Sequence, residues 1–346
     1  MTRDRLRLSL KVAFSSNCAI AFWWGPGQFR NFGDALNPVL IEALSGKTVV
    51  HSSRVVNLAG KPVYYVIGSI LQRISSSNAF VWGSGFLDSR DGLETLPRKV
   101  LAVRGPLTRR KLLQLGVECP EVYGDPALLC PMLFKPAAKR YRLGFVPHYV
   151  DRDSPLLDKF RRMSGVSVID VTDRVQDVVR GITECEVIAS SSLHGLVAAD
   201  AYGIPSIWVE ISGKLKGDDF KFHDYFQSVG RRDTAPVQLT DDATPDGLLL
   251  TRTKYRIEID LTKLLRACPF YDGGQSTGRH LAMSDKGMDL LPMFVEPRSP
   301  RADAGSAHRL IYGSSAPSLG RRLGPERATL RGAVRSLVGN GRRATS

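Results

Sequence analysis

The stretch "CEVIASSSLHGLVAADAYGIPSIWVE", residues 185–210, holds three kinds of segment in a row. The apolar run "CEVIA" ends in three serines, a histidine and a glycine. An alanine-rich stretch follows, and after Gly-Ile-Pro comes a second β-branched and aromatic run, "PSIWVE". The outer runs read as core strands and the middle as a helix beginning near Leu193, packed close to the sheet through its small residues. Strand, helix, strand is the repeating unit of a parallel sheet covered by helices. The polar hexapeptide "SSSLHG", residues 190–195, then falls at the carboxyl end of a strand and the start of a helix, where open parallel sheets bind ligands.

The same alternation extends on both sides. Upstream, "KVAF" (11–14), "PVYYVIG" (62–68), "AFVWGSG" (79–85), "KVLAVRG" (99–105) and "EVYGD" (121–125) read as strands. Between the last two, "PLTRRKLLQLGV" reads as a helix opened by Pro106 and closed by Gly116. "PMLFKPAAKR", 131–140, reads as a linker. A second series follows: strands in "YRLGFVPHYV" (141–150) and "SVIDV" (167–171), a helix over 173–183, then the opening stretch. With 346 residues, more than one core of ordinary size is expected. The expected fold class is α/β, with two Rossmann-like domains over residues 1–135 and 136–272 facing across a cleft. After Phe270, Gly, Ser, Pro and Arg dominate and periodicity vanishes, so 273–346 reads as a disordered basic tail.

The net charge of +14 favours anionic partners: a phosphorylated substrate, nucleic acid or an acidic membrane face. The tail carries 12 Lys or Arg against 5 Asp or Glu, half of that excess, so the body is only mildly basic. Within the tail, "ERATLRGAVRSLV" offers a short helix for an anionic surface. Five scattered cysteines without C-x-x-C spacing point to reduced cytosolic thiols rather than disulfides or structural zinc, and no metal cluster is visible. The start, "MTRDRLRLSLKVAF", is interrupted by Arg7 and Lys11 and reads as a first strand rather than a signal peptide. No run reaches the ~18 residues of a membrane span, so a cytoplasmic protein is expected, with at most peripheral contact with the inner membrane.

Several residues have the chemistry of a site. In "RNFGDALNP" (30–38), Asn37 can cap a helix with Pro38 in its first position, and Gly46 can end it. Asn31, Gly33 and Asp34 exceed what capping needs: Gly33 lets the backbone approach a ligand and Asp34 can accept from sugar hydroxyls. Gly83 and Ser84 sit in "VWGSGFLD", a glycine-rich turn that lacks the full dinucleotide spacing. Arg104 falls where a strand meets a Pro-initiated helix, a position suited to phosphate or carboxylate, or to an ion pair with a structural carboxylate such as Asp125. Asp125 itself can hold its loop or orient Arg104. His148 follows the first strand of the second half. In "SSSLHG", the hydroxyls of Ser190, Ser191 and Ser192 and the free N–H groups of the helix start form an anion site, with His194 over it as a proton donor or acceptor. A serine hydrolase is disfavoured, because the G-x-S-x-G elbow is absent. In "ISGKLKGDDFKFHDYFQSVG" (211–230), Lys214, Lys216 and Lys221 beside Phe220, Phe222 and Tyr225 read as a loop and helix over the cleft, presenting aromatic faces and acids to a saccharide, or as a solvated amphipathic helix.

Taken in order, "NFGDALNP", "VWGSGF", "VRGPLT", "YGDPALL", "VPHYVD" and "SSSLHGLVAADAYGIP" resemble the polysaccharide pyruvyltransferase family, most of all its bacterial exopolysaccharide, succinoglycan ketal-forming type, from about Lys11 to Phe270. The resemblance implies a GT-B-like fold and a reaction that transfers pyruvate from phosphoenolpyruvate to two hydroxyls of a sugar, as a cyclic ketal, with release of phosphate. Phosphoenolpyruvate is then a co-substrate and no further cofactor is implied; the other partner is a saccharide acceptor, lipid-linked, and not nucleic acid. The family's essential histidine matches His194, its donor-binding arginine Arg104 and another cleft histidine His148, while the backbone of Leu193 and His194 is expected to contact the donor. Two readings compete with it: a GT-B-type glycosyltransferase using a nucleotide sugar, and a protein that binds membrane or nucleic acid through its tail.

Overall fold

A computed structural model of the chain describes residues 2–25, 31–253 and 255–270. The tail expected over 273–346, with its short helix, lies outside them. The chain starts with a helix, α1 (Arg3–Phe14), where a strand was expected. Thr2 caps it, its hydroxyl accepting from the Arg5 N–H at 3.3 Å. Asp4 in the first turn and Lys11 in the last complement the helix dipole, and Leu, Arg and Lys are good helix formers. "KVAF" is therefore the last helical turn, with Val12 turned into the core.

Next come β1 (Cys18–Phe22), α2 (Phe32–Ser45), β2 (Thr48–His51), β3 (Val63–Tyr65), β4 (Ala79–Trp82), β5 (Lys99–Ala102) and α3 (Pro106–Gln114). The strands form a sheet in the order β2-β1-β3-β4-β5, parallel throughout. "EVYGD" adds no strand. Pro120 and Pro126 leave room only for an isolated bridge between Val103 and Tyr123.

Helix α2 begins six residues earlier than the capping pattern predicted, with Asn31 at its N-cap and Pro38 inside it. A proline there has no N–H for the carbonyl of Asp34. The Asn37 side chain replaces that donor: its Nδ2 reaches the Asp34 carbonyl at 3.2 Å and the Gly33 carbonyl at 3.4 Å. The same amide ties α2 to the end of β3, donating to the Ile67 carbonyl at 3.0 Å and accepting from the Ile67 N–H at 2.9 Å. Gly46, at φ 64°, ends the helix as expected.

The second half contains β6 (Tyr141–Val146), α4 (Asp158–Arg161), β7 (Val166–Val168), α5 (Val175–Thr183), β8 (Cys185–Ser190), α6 (Leu193–Ala201), β9 (Ser206–Glu210), α7 (Phe220–Ser228), β10 (Val237–Gln238), α8 (Pro245–Thr251) and α9 (Leu261–Arg266). Its sheet has the order β10-β9-β8-β6-β7, again all parallel. The protein is thus a mixed α/β structure with two parallel sheets. The largest apolar cluster contains residues of both halves, among them Phe32, Leu36 and Trp82 with Val175, Leu196 and Phe222. Each such side chain contributes about 1.5–3 kcal/mol when fully buried. The end of the described chain returns to the first sheet: the Trp82 indole N–H donates to the Leu264 carbonyl at 2.9 Å, and the Phe270 ring lies 4.5 Å from that of Tyr64.

In both sheets the chain leaves its first strand toward one neighbour and then returns to the other side. β1 leads to β2 and next to β3; β6 leads to β7 and next to β8. Open parallel sheets bind ligands at such reversals, which here fall at the carboxyl ends of β1 and β3 and at those of β6 and β8.

Candidate functional site at two strand crossover points

The opening hexapeptide lies at the reversal point beside β8, between that strand and α6. Two of its three hydroxyls are occupied in shaping the turn. Ser190 Oγ lies 2.7 Å from the Val146 carbonyl and 2.8 Å from that of Ser192, and accepts from the Ser192 N–H at 3.0 Å. Ser191 donates to Asp151 at 2.7 Å and accepts from the His148 N–H at 2.9 Å. Only Ser192, the N-cap of α6, makes no side-chain capping bond. The expected trio of anion-binding hydroxyls is accordingly reduced to Ser192 and the N–H groups of Leu193 and His194. Gly195 permits the tight start of α6, since a Cβ there would stand 2.3 Å from Ser190 Oγ.

His194 is buried, with Nε2 3.5 Å from Oδ2 of Asp125. Neither atom has a hydrogen-bond partner among the described residues. The other oxygen of Asp125 accepts from the Ala127 N–H at 2.9 Å, so the carboxylate is held by backbone while it faces the imidazole. Asp125 therefore holds its own loop, one of the two tasks expected of it, and turns its other oxygen to His194 rather than to Arg104. The separation is long for a hydrogen bond but makes Asp125 the counter-ion for a proton on Nε2.

The start of α2, at the reversal point beside β1, packs against the same histidine. Gly33 packs directly on the His194 imidazole: a Cβ at Gly33 would lie 2.0 Å from Nδ1. Asp34 accepts from the Trp24 N–H at 3.0 Å and from Asn31 Nδ2 at 2.7 Å. Burial raises its carboxyl above the usual range, against the Asn31 bond and the His194 charge, which lower it. Asn31 Oδ1 is buried without a hydrogen-bond partner among the described residues. Asn31, Gly33 and Asp34 are thus brought to His194.

His148 and Lys221 complete the group. Burial first, then the nearby charges of Lys221 and His194, push His148 down to about 3, so it is a neutral base at ordinary pH. Lys221 is buried on α7 and pushed down to about 8, by burial first and then by the charge of Arg104. Asp151 and Asp219 pull it the other way without an ion pair within 4 Å. A lysine in that condition gains most from an incoming anion.

Arg104 stands apart. Its guanidinium has no exposed surface, and it donates to Asp224 at 3.0 Å, Ser69 at 2.7 Å and the Phe86 carbonyl at 2.7 Å. Asp224 also accepts from the Thr108 N–H at 2.8 Å and its hydroxyl at 2.6 Å. The structural carboxylate is Asp224 on α7, in place of Asp125, and Arg104 is a strut between β5 and α7. Gly83, at φ 94°, packs on Pro126, where a Cβ would be 2.2 Å from Cδ. Ser84 is wholly buried, and its carbonyl accepts from the Arg104 N–H at 3.2 Å. Two of the three aromatic residues expected over a saccharide are also spent, since Phe222 stacks on Trp208 at 4.7 Å and Tyr225 donates to Asp200 at 2.8 Å, while Phe220 is half-buried.

Sequence reasoning passed over Asp151, Asp224 and Trp24. Asp151 was visible three residues after His148, at the end of a strand. Asp224 lies 120 residues from Arg104 and carried no local signal. Trp24 is 51% exposed, with the Arg73 guanidinium 4.8 Å over its ring, and it adjoins Asp34 through its backbone.

The family profile described as polysaccharide pyruvyl transferase matches residues 31–213. The chain belongs to that family. The matched span begins at Asn31 and includes Gly33, Asp34, Asp125, His148, Asp151 and the hexapeptide, while Trp24, Asp219, Lys221 and Asp224 lie outside it. Among curated relatives of this polysaccharide pyruvyl transferase family member, the succinoglycan biosynthesis protein ExoV of Rhizobium meliloti (strain 1021) is 32% identical over 60% of the chain and 64% of its own length. The uncharacterized protein L143 of Acanthamoeba polyphaga mimivirus is 31% identical over 58% of the chain and 71% of its own. The chain thus spans just under two thirds of the first relative. No solved structure matches.

Proposed function

We propose that the protein transfers the pyruvyl group of phosphoenolpyruvate to a saccharide of an exopolysaccharide of the succinoglycan kind, forming a cyclic ketal and releasing phosphate. The observation that carries this reading is the buried pair His194 and Asp125 at the start of α6, in a chain of the polysaccharide pyruvyl transferase family. In the proposed complex the phosphate and carboxylate of the donor lie against the N–H groups of Leu193 and His194, the Ser192 hydroxyl and Lys221. His194 delivers a proton to the methylene carbon, which becomes the methyl group of the ketal. A cationic centre develops at C2, one sugar hydroxyl attacks it, phosphate leaves, and the second hydroxyl closes the ring. Of the two hydroxyl protons, one replaces that given to carbon and the other leaves with phosphate. His148, neutral at working pH, accepts from an attacking hydroxyl, and Asp34 receives a hydrogen bond from the acceptor sugar. Arg104 acts as a positioning residue through α7, and the two sheets correspond to the halves of a GT-B-type enzyme. The acceptor is lipid-linked, on the cytoplasmic face of the inner membrane. Among the described residues no helix is long and apolar enough to cross a membrane.

The test is incubation of purified protein with phosphoenolpyruvate and a lipid-linked or soluble oligosaccharide, reading phosphate and the mass of the saccharide. Ketal formation is expected, and it should disappear in His194→Ala. Thermal stabilisation by a nucleoside diphosphate but not by phosphoenolpyruvate would instead support a glycosyltransferase.

A further inference from the structure

Helix α1 takes no part in the site, and its outer face is unusual. Leu6, Leu10 and Phe14 recur every fourth residue and so share one stripe, with exposures of 39%, 43% and 87%. Arg3, Arg7 and Lys11 recur at the same interval and form an exposed stripe beside it. Arg5 is also exposed, and Asp4 is the one acid of the helix. The inner face is fastened to the body: Val12 is buried, and the Ser9 hydroxyl donates to the Arg5 carbonyl at 2.6 Å and accepts from the Val56 N–H at 2.9 Å. Val56, at that junction, and Leu58 beyond it are exposed as well, at 38% and 50%.

We propose that this face of α1 docks on the surface of an anionic lipid bilayer. The helix lies in the plane of the interface, with Leu6, Leu10 and Phe14 entering the boundary between headgroups and acyl chains and the neighbouring cations on lipid phosphates. Charge decides the occupant: four cations against one acid repel a second copy of the same face and attract an acidic membrane. The mixture of isolated apolar side chains with arginines, rather than an unbroken apolar stripe, is that of a helix lying on a membrane instead of in a core. A protein docked in this way would meet a lipid-linked saccharide at the surface where that substrate resides, but the docking itself rests only on the helix.

Co-sedimentation of the full chain with vesicles tests it, comparing phosphatidylcholine alone with phosphatidylcholine mixed with phosphatidylglycerol. Binding is expected to the anionic vesicles and should weaken with salt. Arg7→Gln with Lys11→Gln should lower the partition coefficient roughly 30-fold at low salt, two surface cations at about five-fold each. Leu10→Asp with Phe14→Asp should cut binding to the level that residues 273–346 sustain alone, while the thermal midpoint falls by no more than a few degrees, because Phe14 is 87% and Leu10 43% exposed. The basic residues 273–346 are present in every variant, so their contribution is constant. Parent-like binding by the Leu10→Asp, Phe14→Asp variant overturns the proposal, as does a parent that ignores anionic vesicles. A parent dimer that this variant dissociates, with vesicle binding unchanged, would make a second copy the occupant. Vesicle binding is read without catalysis, so a failure here leaves the transferase reading standing.

Discussion

His194 and Asp125 face each other at 3.5 Å, and the atoms that meet, Nε2 and Oδ2, have no other hydrogen-bond partner among the described residues. Asp125→Asn keeps an oxygen for the Ala127 N–H and removes only the counter-ion. Turnover should fall on the order of ten-fold, equivalent to about 1.4 kcal/mol, with the KM for phosphoenolpyruvate little changed. His194→Gln should cost about 100-fold or more. Steady-state phosphate release measures both. Parent-like turnover in Asp125→Asn would remove Asp125 from the mechanism.

Arg104→Met should act on stability. It leaves the Asp224 carboxylate buried without its cation, a loss of about 3–5 kcal/mol in denaturant unfolding. Arg104→Met combined with Asp224→Leu should recover most of it. Lost donor affinity at unchanged stability would instead place Arg104 on the donor.

Gly33→Ala puts a methyl group where the His194 ring stands, 2.0 Å from Nδ1 and 2.4 Å from Cγ. The imidazole must move, so phosphate release should drop sharply. The thermal midpoint should fall by only a few degrees, as for a change of about 1 kcal/mol. Equal losses of fold and activity would show that the glycine serves packing alone.

Lys221 loses its proton near pH 8, and a bound anion holds that proton on. Affinity for phosphoenolpyruvate should therefore fall as pH rises through about 8. In Lys221→Met affinity should be weaker and flat over that range. Isothermal titration across pH reads the difference, and an unchanged pH profile in Lys221→Met would exclude this role.

His148 gives an acid-stability prediction. The unfolded chain takes up a proton near pH 6.5 and the folded protein only near pH 3, so the unfolded state binds more protons in between. Stability conferred by this residue is complete above about pH 6.5 and is lost as pH falls toward 3. His148→Asn should flatten the pH dependence of unfolding free energy in that window.

The α/β class and most strands of both sheets were legible because parallel strands are apolar runs that end abruptly in polar turns. "SSSLHG" located the turn at β8, and "FGD" placed Gly33 and Asp34. Failures came where local pattern competes with tertiary demand. "KVAF" reads as a strand only without its capped, charged surroundings. Asn37 and Pro38 look like a helix start because the amide that excuses an internal proline bonds to Ile67, thirty residues away. The partner of Arg104 was illegible for the same reason, since Asp224 is near only once α7 has packed. Ser190 and Ser191 carried the right chemistry, but strand ends need hydroxyls for their own carbonyls and amides before a ligand can use them.

The return of α9 to the first sheet has a consequence for the order of events during synthesis. Trp82 receives its indole acceptor from Leu264, 182 positions later in the chain. While the ribosome is still making the second half, the first sheet waits with Trp82 and Tyr64 uncovered. Completion of the oldest part of the protein depends on nearly the last described segment to emerge. A message cut short before that segment would leave an aromatic surface without its cover, and such a nascent chain is a natural client for a chaperone or a protease.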